Sequence, residues 1–338
     1  MDTMAYNNLA YGYQKVGDLE KSIWAINQCI HLAPNDANPY DTQGDLYAAS
    51  GQFDKAIASY EKAVAIDSAF YGSMVKLGGV HMFQGRETRA RKYWTRALQG
   101  DDRHRRAWAR LLLATIPLYH GRADETLVAM ANAIDEDRLD GYDGNLLAWK
   151  HWQVAYLHAI QGDWSSADAA FRAGGQMDPR LRVVLLAPID VSRIESEQRA
   201  VPETGNLQDL DWVAKCWVEM VRGRFDDAAQ AIDQATQANQ PFLTSYTKGV
   251  AYLRSGRLEE SIQQLERFRD SWWSSMQLYP TLIVQAHYYL ALAYQSRGRA
   301  ADSIKEYERF LAYWGDADIF RDEVNDARRR LADLKEGH

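Results

Sequence analysis

Residues 37–70 read ANPYDTQGDLYAASGQFDKAIASYEKAVAIDSAF and are the clearest copy of a unit that recurs along the chain. Gly44 precedes Gly51 on one apolar helical face, and Ala56 and Tyr60 follow Gly51 on another. A glycine can adopt the left-handed conformation that ends a helix, so Gly51 predicts a tight turn between two helices. Because Gly44 and Ala56 are small, the two helices can pack closely, with Tyr60 filling the space beside them.

The turn glycine recurs eight times, and fixed columns of residue size accompany it. A small residue lies seven positions before and five positions after each glycine, and a large apolar or aromatic residue lies nine after. The glycines are Gly17, Gly51, Gly85, Gly121, Gly162, Gly223, Gly256 and Gly298. Agreement of three columns over eight copies predicts eight repeats of one helix pair, which bury their apolar faces by stacking on each other.

The predicted fold is all-α, a solenoid of about eight helix pairs with a C-terminal capping helix, in a single array over residues 3–338. The repeats are expected near 3–36, 37–70, 71–106, 107–140, 148–181, 209–241, 242–275 and 284–317. Residues 319–335 are the expected capping helix, with a charged outer face. Residues 180–207 form a long insertion, apolar in its first half, which is expected to patch an irregular stack, with a functional role as the alternative.

Two residues depart from the aromatic column four positions before each glycine. Pro117 cannot lie in an undisturbed helix interior, so the first helix of the fourth repeat is expected to be kinked or shortened. Glu219 is foreign to a buried column, which predicts that the column shifts there or that Glu219 is ion-paired.

The order of large, small, Tyr, Ala and aromatic residues in 37–70 resembles the tetratricopeptide repeat (TPR). The resemblance implies a right-handed superhelix in which the first helix of each pair lines the concave face. The stretches AYNNLAYGYQKVGDLEKSI (5–23) and YERFLAYWGDADIF (307–320) also resemble the repeat tails of bacterial signalling proteins, behind kinase, cyclase or DNA-binding domains. This second resemblance predicts that the chain is a fragment of such a protein.

The chain has 338 residues and a formal net charge of −7. It shows no signal peptide and no apolar run long enough to cross a bilayer, which predicts a cytoplasmic protein without a membrane partner. The basic runs at 103–106 and 328–330 are short, so a nucleic-acid partner is not expected. Cys29 and Cys216 fall at small core positions and are expected to be buried, reduced thiols.

Motifs of catalytic and cofactor sites do not occur in the sequence. It has no phosphate-binding glycine loop, no Gly-x-Ser-x-Gly, no Cys-x-x-Cys and no His-Glu-x-x-His. His151 and His158 share a helix face, but no third ligand stands at metal spacing, which favours a core role for His158. The sequence therefore predicts no enzyme activity, no cofactor and no metal site.

The resemblance places the positions thirteen, ten and six before each glycine on the concave face. These positions are polar in the first two repeats and aromatic or aliphatic from the fourth repeat onward, and aromatic residues are common anchors of binding surfaces. Two alternatives are that the superhelix closes on itself at this stripe or that residues 180–207 cover it. The residues predicted to bind a partner are Asn7, Tyr11, Asp41, Asp45, Trp108, Trp149, Trp152, Tyr156, Trp217, Tyr246 and Tyr288.

The predicted function is a non-catalytic scaffold that binds a segment of a protein or peptide partner in the concave groove. One alternative is a regulatory sensor domain that binds a small effector, such as a sugar or a peptide signal. Another is a self-association module that forms a homodimer within a larger signalling protein. Some TPR relatives clamp a terminal carboxylate with Lys and Asn, but of the matching positions only Asn7 and Lys76 keep these types, so a clamp is not expected.

Overall fold

The computed structural model describes residues 2–187, 189, 208–236, 241–270 and 279–337. Within these ranges the chain forms eighteen α-helices and no β-strand. The chain divides into two compact units. Unit 1 comprises Met1–Leu113, Asp137–Leu146 and Asp270–Gln277, and unit 2 comprises Ala114–Glu136, Leu147–Arg269 and Leu278–His338. The single array over residues 3–338 and its repeat boundaries stay a prediction.

The helices form eight pairs, each with a first and a second helix joined by a short turn. The pairs are α1 (Thr3–Lys15) and α2 (Leu19–Leu32), α3 (Ala37–Ala49) and α4 (Phe53–Ile66), α5 (Tyr71–Phe83) and α6 (Glu87–Ala97), α7 (Arg103–Tyr119) and α8 (Ala123–Leu139), α9 (Asn145–Ile160) and α10 (Trp164–Ala173), α12 (Asp209–Val221) and α13 (Phe225–Asp233), α14 (Pro241–Arg254) and α15 (Leu258–Asp270), and α16 (Pro280–Ser296) and α17 (Ala300–Trp314). Two further helices are α11 (Pro179–Leu186) in the insertion and α18 (Arg321–Glu336) at the C-terminus. The predicted all-α fold of about eight helix pairs with a C-terminal helix is confirmed.

The turn between the two helices of each pair depends on a left-handed glycine. All eight turn glycines have a φ between 67° and 79°. In the second repeat the amide of Gly51 donates to the carbonyl of Ala48, and the amide of Gln52 donates to the carbonyl of Tyr47. These bonds satisfy carbonyl groups that the end of α3 would otherwise leave without a donor.

Close contact between the two helices of a pair explains the small and large columns. A Cβ atom added to Gly44 would lie 2.4 Å from Cε1 of Tyr60, and one added to Gly78 would lie 2.2 Å from Nε1 of Trp94. Tyr60 and Trp94 are fully buried. The residue seven before the turn glycine therefore has no side chain in these pairs because the residue nine after it occupies that space.

In the last two repeats, a hydroxyl group links the column five after the turn glycine to the column seven before it. Ser261 Oγ donates to the carbonyl of Gly249 at 2.7 Å, and Ser303 Oγ donates to the carbonyl of Ala291 at 2.8 Å. Both serines are fully buried, so the bond satisfies a hydroxyl that burial would otherwise penalise. The small residue five after the glycine thus both permits close packing and ties the second helix to the first.

Unit 2 contains a long-range contact between the turn after α17 and the turn that joins α7 to α8. The Asp318 side chain accepts from the amide of Ala123 at 2.8 Å, and the amide of Asp318 donates to the carbonyl of Gly121 at 3.0 Å. Asp318 therefore caps the first turn of α8 although 195 residues separate it from Ala123. The cluster of buried side chains around this contact includes Leu118, Leu157, Val284, Tyr288, Phe310, Trp314 and Ile319.

The two departures from the aromatic column have different outcomes. Pro117 lies inside α7, which continues to Tyr119 and has seventeen residues, so the helix is not shortened. Glu219 is buried and ion-paired, with 3.4 Å between its Oε1 and Nη1 of Arg222 and a second pair to Arg224. The second of the two alternatives for Glu219 is confirmed.

The packing of α5 on α6 predicts opposite effects of one substitution at two glycines of the same helix. We expect Gly78→Ala to lower the free energy of unfolding by about 1–3 kcal/mol, since the new methyl group overlaps the Trp94 ring. Gly72→Ala is the matched control because nothing lies within 4 Å of its Cβ position, and we expect it to be neutral or to stabilise by up to about 1 kcal/mol. Urea unfolding of both variants measures this difference, and equal effects would contradict the packing described.

Candidate functional site

Three predicted groove residues of unit 1 meet Lys76 in one polar network. Lys76 Nζ donates to Asp41 Oδ2 at 2.6 Å and to Asp45 Oδ2 at 2.8 Å. The hydroxyl of Tyr11 donates to Asp45 Oδ2 at 3.1 Å. Tyr11 lies on α1, the two aspartates lie on α3, and Lys76 lies on α5. Consecutive first helices are therefore linked by three residues at positions that the sequence assigns to the concave face and by Lys76, which lies nine positions before its turn glycine.

Both aspartates also accept hydrogen bonds from deeper in unit 1. Ser73 Oγ donates to Asp41 Oδ1 at 2.6 Å, and the hydroxyl of Tyr60 donates to Asp45 Oδ1 at 2.7 Å. Asp41 is only 8% exposed, and a carboxylate so deeply buried requires such donors. Much of the acceptor capacity of Asp41 and Asp45 is thus used within unit 1, and less of it remains for a partner.

Charges in this network shift the pKa values of its members. Burial raises the pKa of the Asp45 carboxyl, Lys76 beside it lowers that pKa in part, and Asp41 raises it further. Burial alone would lower the pKa of the Lys76 ammonium, but Asp45 and Asp41 outweigh burial and hold that pKa above its ordinary value. Lys76 therefore stays protonated at neutral pH and is ion-paired with two carboxylates. It is poorly placed to bind the carboxylate of a partner as well.

Asn7 lies one helical turn before Tyr11 on α1, in the column that Asp41 occupies on α3. Its Oδ1 atom is buried and accepts no hydrogen bond from the described residues. Leaving such an acceptor unpaired costs about 1–3 kcal/mol. Asn7 is therefore an unsatisfied position beside the polar network of unit 1.

The aromatic residues predicted along the groove of unit 2 are interior residues. Tyr156, Trp217, Tyr246 and Tyr288 are 8%, 7%, 2% and 9% exposed. The rings of Trp217 and Tyr246 stack with centroids 6.5 Å apart, and Trp217 Nε1 donates to Thr247 Oγ1 at 3.1 Å. In this structure the aromatic stripe is therefore part of the core of unit 2 and does not form an exposed surface.

Tyr156, Trp217 and Tyr246 line a small cavity of about 30 Å³, which is room for one or two groups the size of a water molecule. Four first helices, α9, α12, α14 and α16, each contribute to its wall, and no lining side chain is charged. The lining residues are Tyr156, Val184, Leu185, Ile189, Trp217, Leu243, Tyr246, Thr247, Leu282, Gln285, Tyr289 and Phe320. The groove-facing positions of four repeats thus converge on one uncharged aromatic cavity.

Two segments outside the repeat helices close this cavity. Val184 and Leu185 reach it from α11, so the described first part of the insertion covers the stripe, as one of the two alternatives expected. Phe320 reaches it from the turn before α18 and is the one non-glycine residue with a positive φ, 49°, among the described residues. Its ring stacks on Trp314 with centroids 5.3 Å apart, and this packing offsets the cost of about 1–3 kcal/mol of a left-handed Phe.

The three remaining tryptophans of the predicted site are half-buried. Trp149 contacts Trp152 and Tyr279 edge-on, with ring centroids 5.4 Å and 5.6 Å apart. Trp152 turns toward the end of α10, because a Cβ atom at Gly174 would lie 2.6 Å from its Nε1. Trp108 belongs to unit 1 and lies beside His104, with centroids 6.2 Å apart. Trp108 is therefore not gathered with the other two, and partner binding by these residues stays a prediction.

The basic runs of the sequence are largely neutralised by local ion pairs. Arg106 Nη2 lies 2.6 Å from Asp140 Oδ1, and Arg110 Nη1 lies 2.9 Å from Asp137 Oδ1. The hydrogen bonds that the Arg106 guanidinium donates lower the pKa of the Asp140 carboxyl to about 2, so this carboxylate stays charged. In the C-terminal run the ion pairs are those of Arg329 and Arg330 with Asp326.

Metal ligands, membrane-spanning helices and reactive thiols were the other features considered in the sequence. Within the described ranges no three His, Cys, Asp or Glu side chains are grouped so as to hold a metal ion. None of the helices described is both long and apolar enough to cross a bilayer. Cys29 and Cys216 are free and buried, and burial raises the pKa of both thiols. Both thiols therefore stay protonated at neutral pH, which makes them poor nucleophiles.

Sequence reasoning missed several residues of the cavity wall. Phe320 lies after the last repeat, and Gln285 lies thirteen positions before Gly298, but neither is among the residues predicted to bind a partner. Val184 and Leu185 lie in the apolar half of the insertion, and that apolar character was the available signal. Phe320 gave no signal, because its place in the wall depends on contacts between distant repeats.

Comparison with known proteins identifies the family. A family model described as TPR repeat matches residues 44–85. Models described as tetratricopeptide repeat match residues 5–36, 215–276 and 246–318. Together these matches cover more than half of the 338 residues, and the chain belongs to the tetratricopeptide-repeat proteins. Proteins with this fold generally mediate protein–protein interaction. The likeness to bacterial signalling tails stays a prediction.

Curated relatives match only in part. Protein O-mannosyl-transferase TMTC1 of Homo sapiens is 30% identical over 98 residues, which cover 28% of this chain and 11% of that protein. The Mus musculus protein of the same name is 32% identical over 83 residues, covering 23% and 9%. The match thus spans about a tenth of these relatives.

Three solved structures are similar at low sequence identity. The P58(IPK) TPR domain is 15% identical, with 98% of this chain and 99% of that chain covered and a TM-score of 0.32. Pseudomonas aeruginosa pilF is 17% identical, with 71% and 92% covered and a TM-score of 0.41. PilW, a type IV pilus biogenesis factor, is 15% identical, with 71% and 94% covered and a TM-score of 0.42.

The polar network predicts that Lys76 stabilises unit 1. We expect Lys76→Met to lower the free energy of unfolding by about 2 kcal/mol or more, since it leaves Asp41 and Asp45 close together without a cation. Lys92→Met removes an exposed lysine of α6 and is the matched control, with an expected change within about 0.5 kcal/mol. Chemical unfolding of both variants measures the effect. A Lys76→Met protein as stable as the control would show that the network contributes nothing.

Proposed function

We propose that this protein is a non-catalytic scaffold that binds a segment of a partner protein along the inner face of unit 1. By inner face we mean the surface formed by Asn7, Tyr11, Asp41, Asp45 and Lys76. Membership of the TPR family supports the general role. The observation that carries the finer proposal is the buried Oδ1 of Asn7, which has no donor among the described residues and lies beside the network of Tyr11, Asp45 and Lys76. If the Asn7 side chain rotates toward this face, its Oδ1 atom can accept from an incoming N–H group, which would remove the cost of leaving it unpaired.

The charge of this face selects the chemistry of the partner. Asp41 and Asp45 together outweigh the single charge of Lys76, so the network carries a net negative charge. The side chains of Asp45 and Lys76 are 22% and 27% exposed, which leaves them within reach of a bound segment. A segment that presents main-chain amides and a Lys or Arg side chain fits this face better than one that presents a carboxylate.

The proposal includes a cytoplasmic location and a place in a larger bacterial signalling protein. The likeness of residues 5–23 and 307–320 to the repeat tails of such proteins supports this part. A TPR array in that setting would bring a partner to a neighbouring catalytic or DNA-binding domain. Its contribution would be affinity and position, supplied by the inner face.

The test of this function is peptide binding by variants of α1. We expect labelled basic peptides to bind the wild-type chain more tightly than acidic peptides of the same length. The double variant Asn7→Ala/Tyr11→Phe should weaken that binding at least about tenfold, since both remove a polar group from the inner face. Fluorescence anisotropy measures the affinities.

The matched control is Asn8→Ala/Tyr13→Phe, which makes the same two changes on the same helix. Asn8 is exposed, and the ring of Tyr13 packs under Lys21, whose ammonium lies 5.6 Å from the ring centroid. We expect this control to bind as the wild type does. Equal losses in both double variants, or tighter binding of acidic peptides, would contradict the proposed role of the inner face.

A second candidate function is a regulatory sensor, and the cavity of unit 2 favours it. Four first helices converge on this cavity, and its uncharged wall suits a small uncharged effector rather than a charged one. Since the free volume is about 30 Å³, any ligand larger than a few atoms must displace part of the wall. The closing side chains from α11 are the candidates for that movement because α11 has only eight residues.

A thermal-shift screen with uncharged single-ring compounds tests the sensor function. A bound compound at about 100 times its Kd adds about 2.7 kcal/mol to the free energy of unfolding and raises the Tm. Val184→Phe fills the cavity from α11 and should abolish the shift, whereas Leu181→Phe on the same helix, which does not line the cavity, should keep it. The absence of any shift in the wild-type chain, or a shift that Val184→Phe retains, would rule out this site.

A further inference from the structure

Two residues of opposite charge lie beside the cavity of unit 2, and neither is among the residues that line it. Arg254 is the last residue of α14 and follows the wall residue Tyr246 by eight positions, which is about two helical turns. The side of α14 that carries Tyr246 toward the cavity therefore carries Arg254 beyond it. Glu323 lies in the first turn of α18, three positions after the wall residue Phe320. One acid and one base thus extend from two segments that form the wall.

The charge of Glu323 acts on three residues of the cavity wall. Burial is the main cause that raises the pKa values of Tyr156, Tyr246 and Tyr289, and Glu323 raises each of them further. These tyrosines belong to α9, α14 and α16, so their hydroxyl groups come from three different repeats. Because such electrostatic effects weaken with distance, Glu323 lies on the side of the cavity to which all three hydroxyl groups point.

The charge of Arg254 acts on the same side of the cavity. Burial raises the pKa of Tyr289, and Arg254 lowers that pKa in part, in opposition to Glu323. Burial also raises the pKa of the Glu323 carboxyl, and Arg254 lowers that pKa in part as well. The wall at Tyr289 is therefore close to both an acid and a base.

Glu323 and Arg254 make no ion pair with each other or with any other residue that the structure describes. By contrast, Arg257 lies only three positions after Arg254 and pairs with Asp233 at 2.8 Å. Glu323 is half-buried, and a half-buried carboxylate without a counterion is less stable than a paired one. An acid and a base that both lack a partner beside one cavity are complementary to a ligand that carries both charges.

We infer that the cavity of unit 2 binds a free α-amino acid with an apolar side chain, with the ammonium group of this ligand at Glu323 and its carboxylate group at Arg254. The inference rests on the sensor function proposed above and names the class of its effector. Such a zwitterion has no net charge. The uncharged aromatic wall holds only the apolar side chain of the ligand, and the two charged groups stay outside the wall. An uncharged ring leaves both protein charges unpaired, and a ligand with one charge pairs only one of them.

Four compounds that share a phenyl ring and differ in charge test the inference by thermal shift of the full chain. The probes are phenylalanine, phenethylamine, hydrocinnamate and phenethyl alcohol, each titrated up to about 10 mM, where binding with a millimolar Kd raises the Tm. We expect phenylalanine to bind at least about tenfold more tightly than each compound that lacks one or both charges. Equal binding of phenylalanine and phenethyl alcohol overturns the inference and leaves the sensor function standing. No shift with any of the four overturns both.

Substitutions at the two charges test their roles one at a time. Glu323→Gln and Arg254→Gln should each weaken phenylalanine binding at least about tenfold, and neither should change the binding of phenethyl alcohol, which contacts only the wall.

The matched controls are Asp322→Asn, in the same first turn of α18, and Arg267→Gln, at an exposed arginine of α15. Both should bind phenylalanine as the wild type does. A carboxylate that only favours the start of α18 through the helix dipole would give equal effects at Asp322 and Glu323, and that result overturns the inference. Circular dichroism confirms that each variant is folded. Unchanged phenylalanine binding by either Glu323→Gln or Arg254→Gln overturns the inference as well.

Discussion

The close approach of the two helices in each pair is the constraint on which the rest of the structure depends. Where Gly44 lies against Tyr60 and Gly78 lies against Trp94, no Cβ atom fits between the helices. A large ring on the second helix therefore fills the space that the first helix leaves empty. The left-handed turn glycine sets the register that brings these two positions together. This register also determines which side of each first helix remains for the groove positions, because its other sides pack on the second helix and on neighbouring repeats.

The same constraint leads to different inner faces in the two units. In unit 1 the inner face is polar, and Lys76 joins Asp41 and Asp45 so that neighbouring first helices are held by ion pairs. In unit 2 the inner face is aromatic, and Phe320 and α11 close over it. A polar face can stay open to water, whereas an aromatic face of this size is stable only when something covers it. Polar side chains therefore stay partly exposed on this face of unit 1, whereas the aromatic side chains of unit 2 contribute to core packing.

The periodic part of the fold was predictable from the sequence, and the long-range part was not. The turn glycines and the size columns depend on residues within one repeat, so their spacing is visible in the chain. Trp217 and Tyr246 line a cavity that α11 and Phe320 close, and Phe320 lies far from both residues along the chain. No periodic pattern encodes that distance, and the aromatic positions therefore resembled an open groove. The apolar first half of the insertion was the one sequence signal that the aromatic stripe is covered, and in the structure this part of the chain forms α11.

The candidate site shows a similar division between what local pattern reveals and what neighbours decide. The sequence placed Tyr11, Asp41 and Asp45 on one face, and the structure brings them together. It did not show that Ser73 and Tyr60 also donate to these carboxylates, because those donors come from other columns. The acceptor left without a donor is Asn7, at the first repeat, where the equivalent of the Asp41–Lys76 pair does not form because position 42 is a threonine. The column of Asn7 is therefore satisfied in the second repeat, where Ser73 and Lys76 donate to Asp41, and it is incomplete in the first repeat.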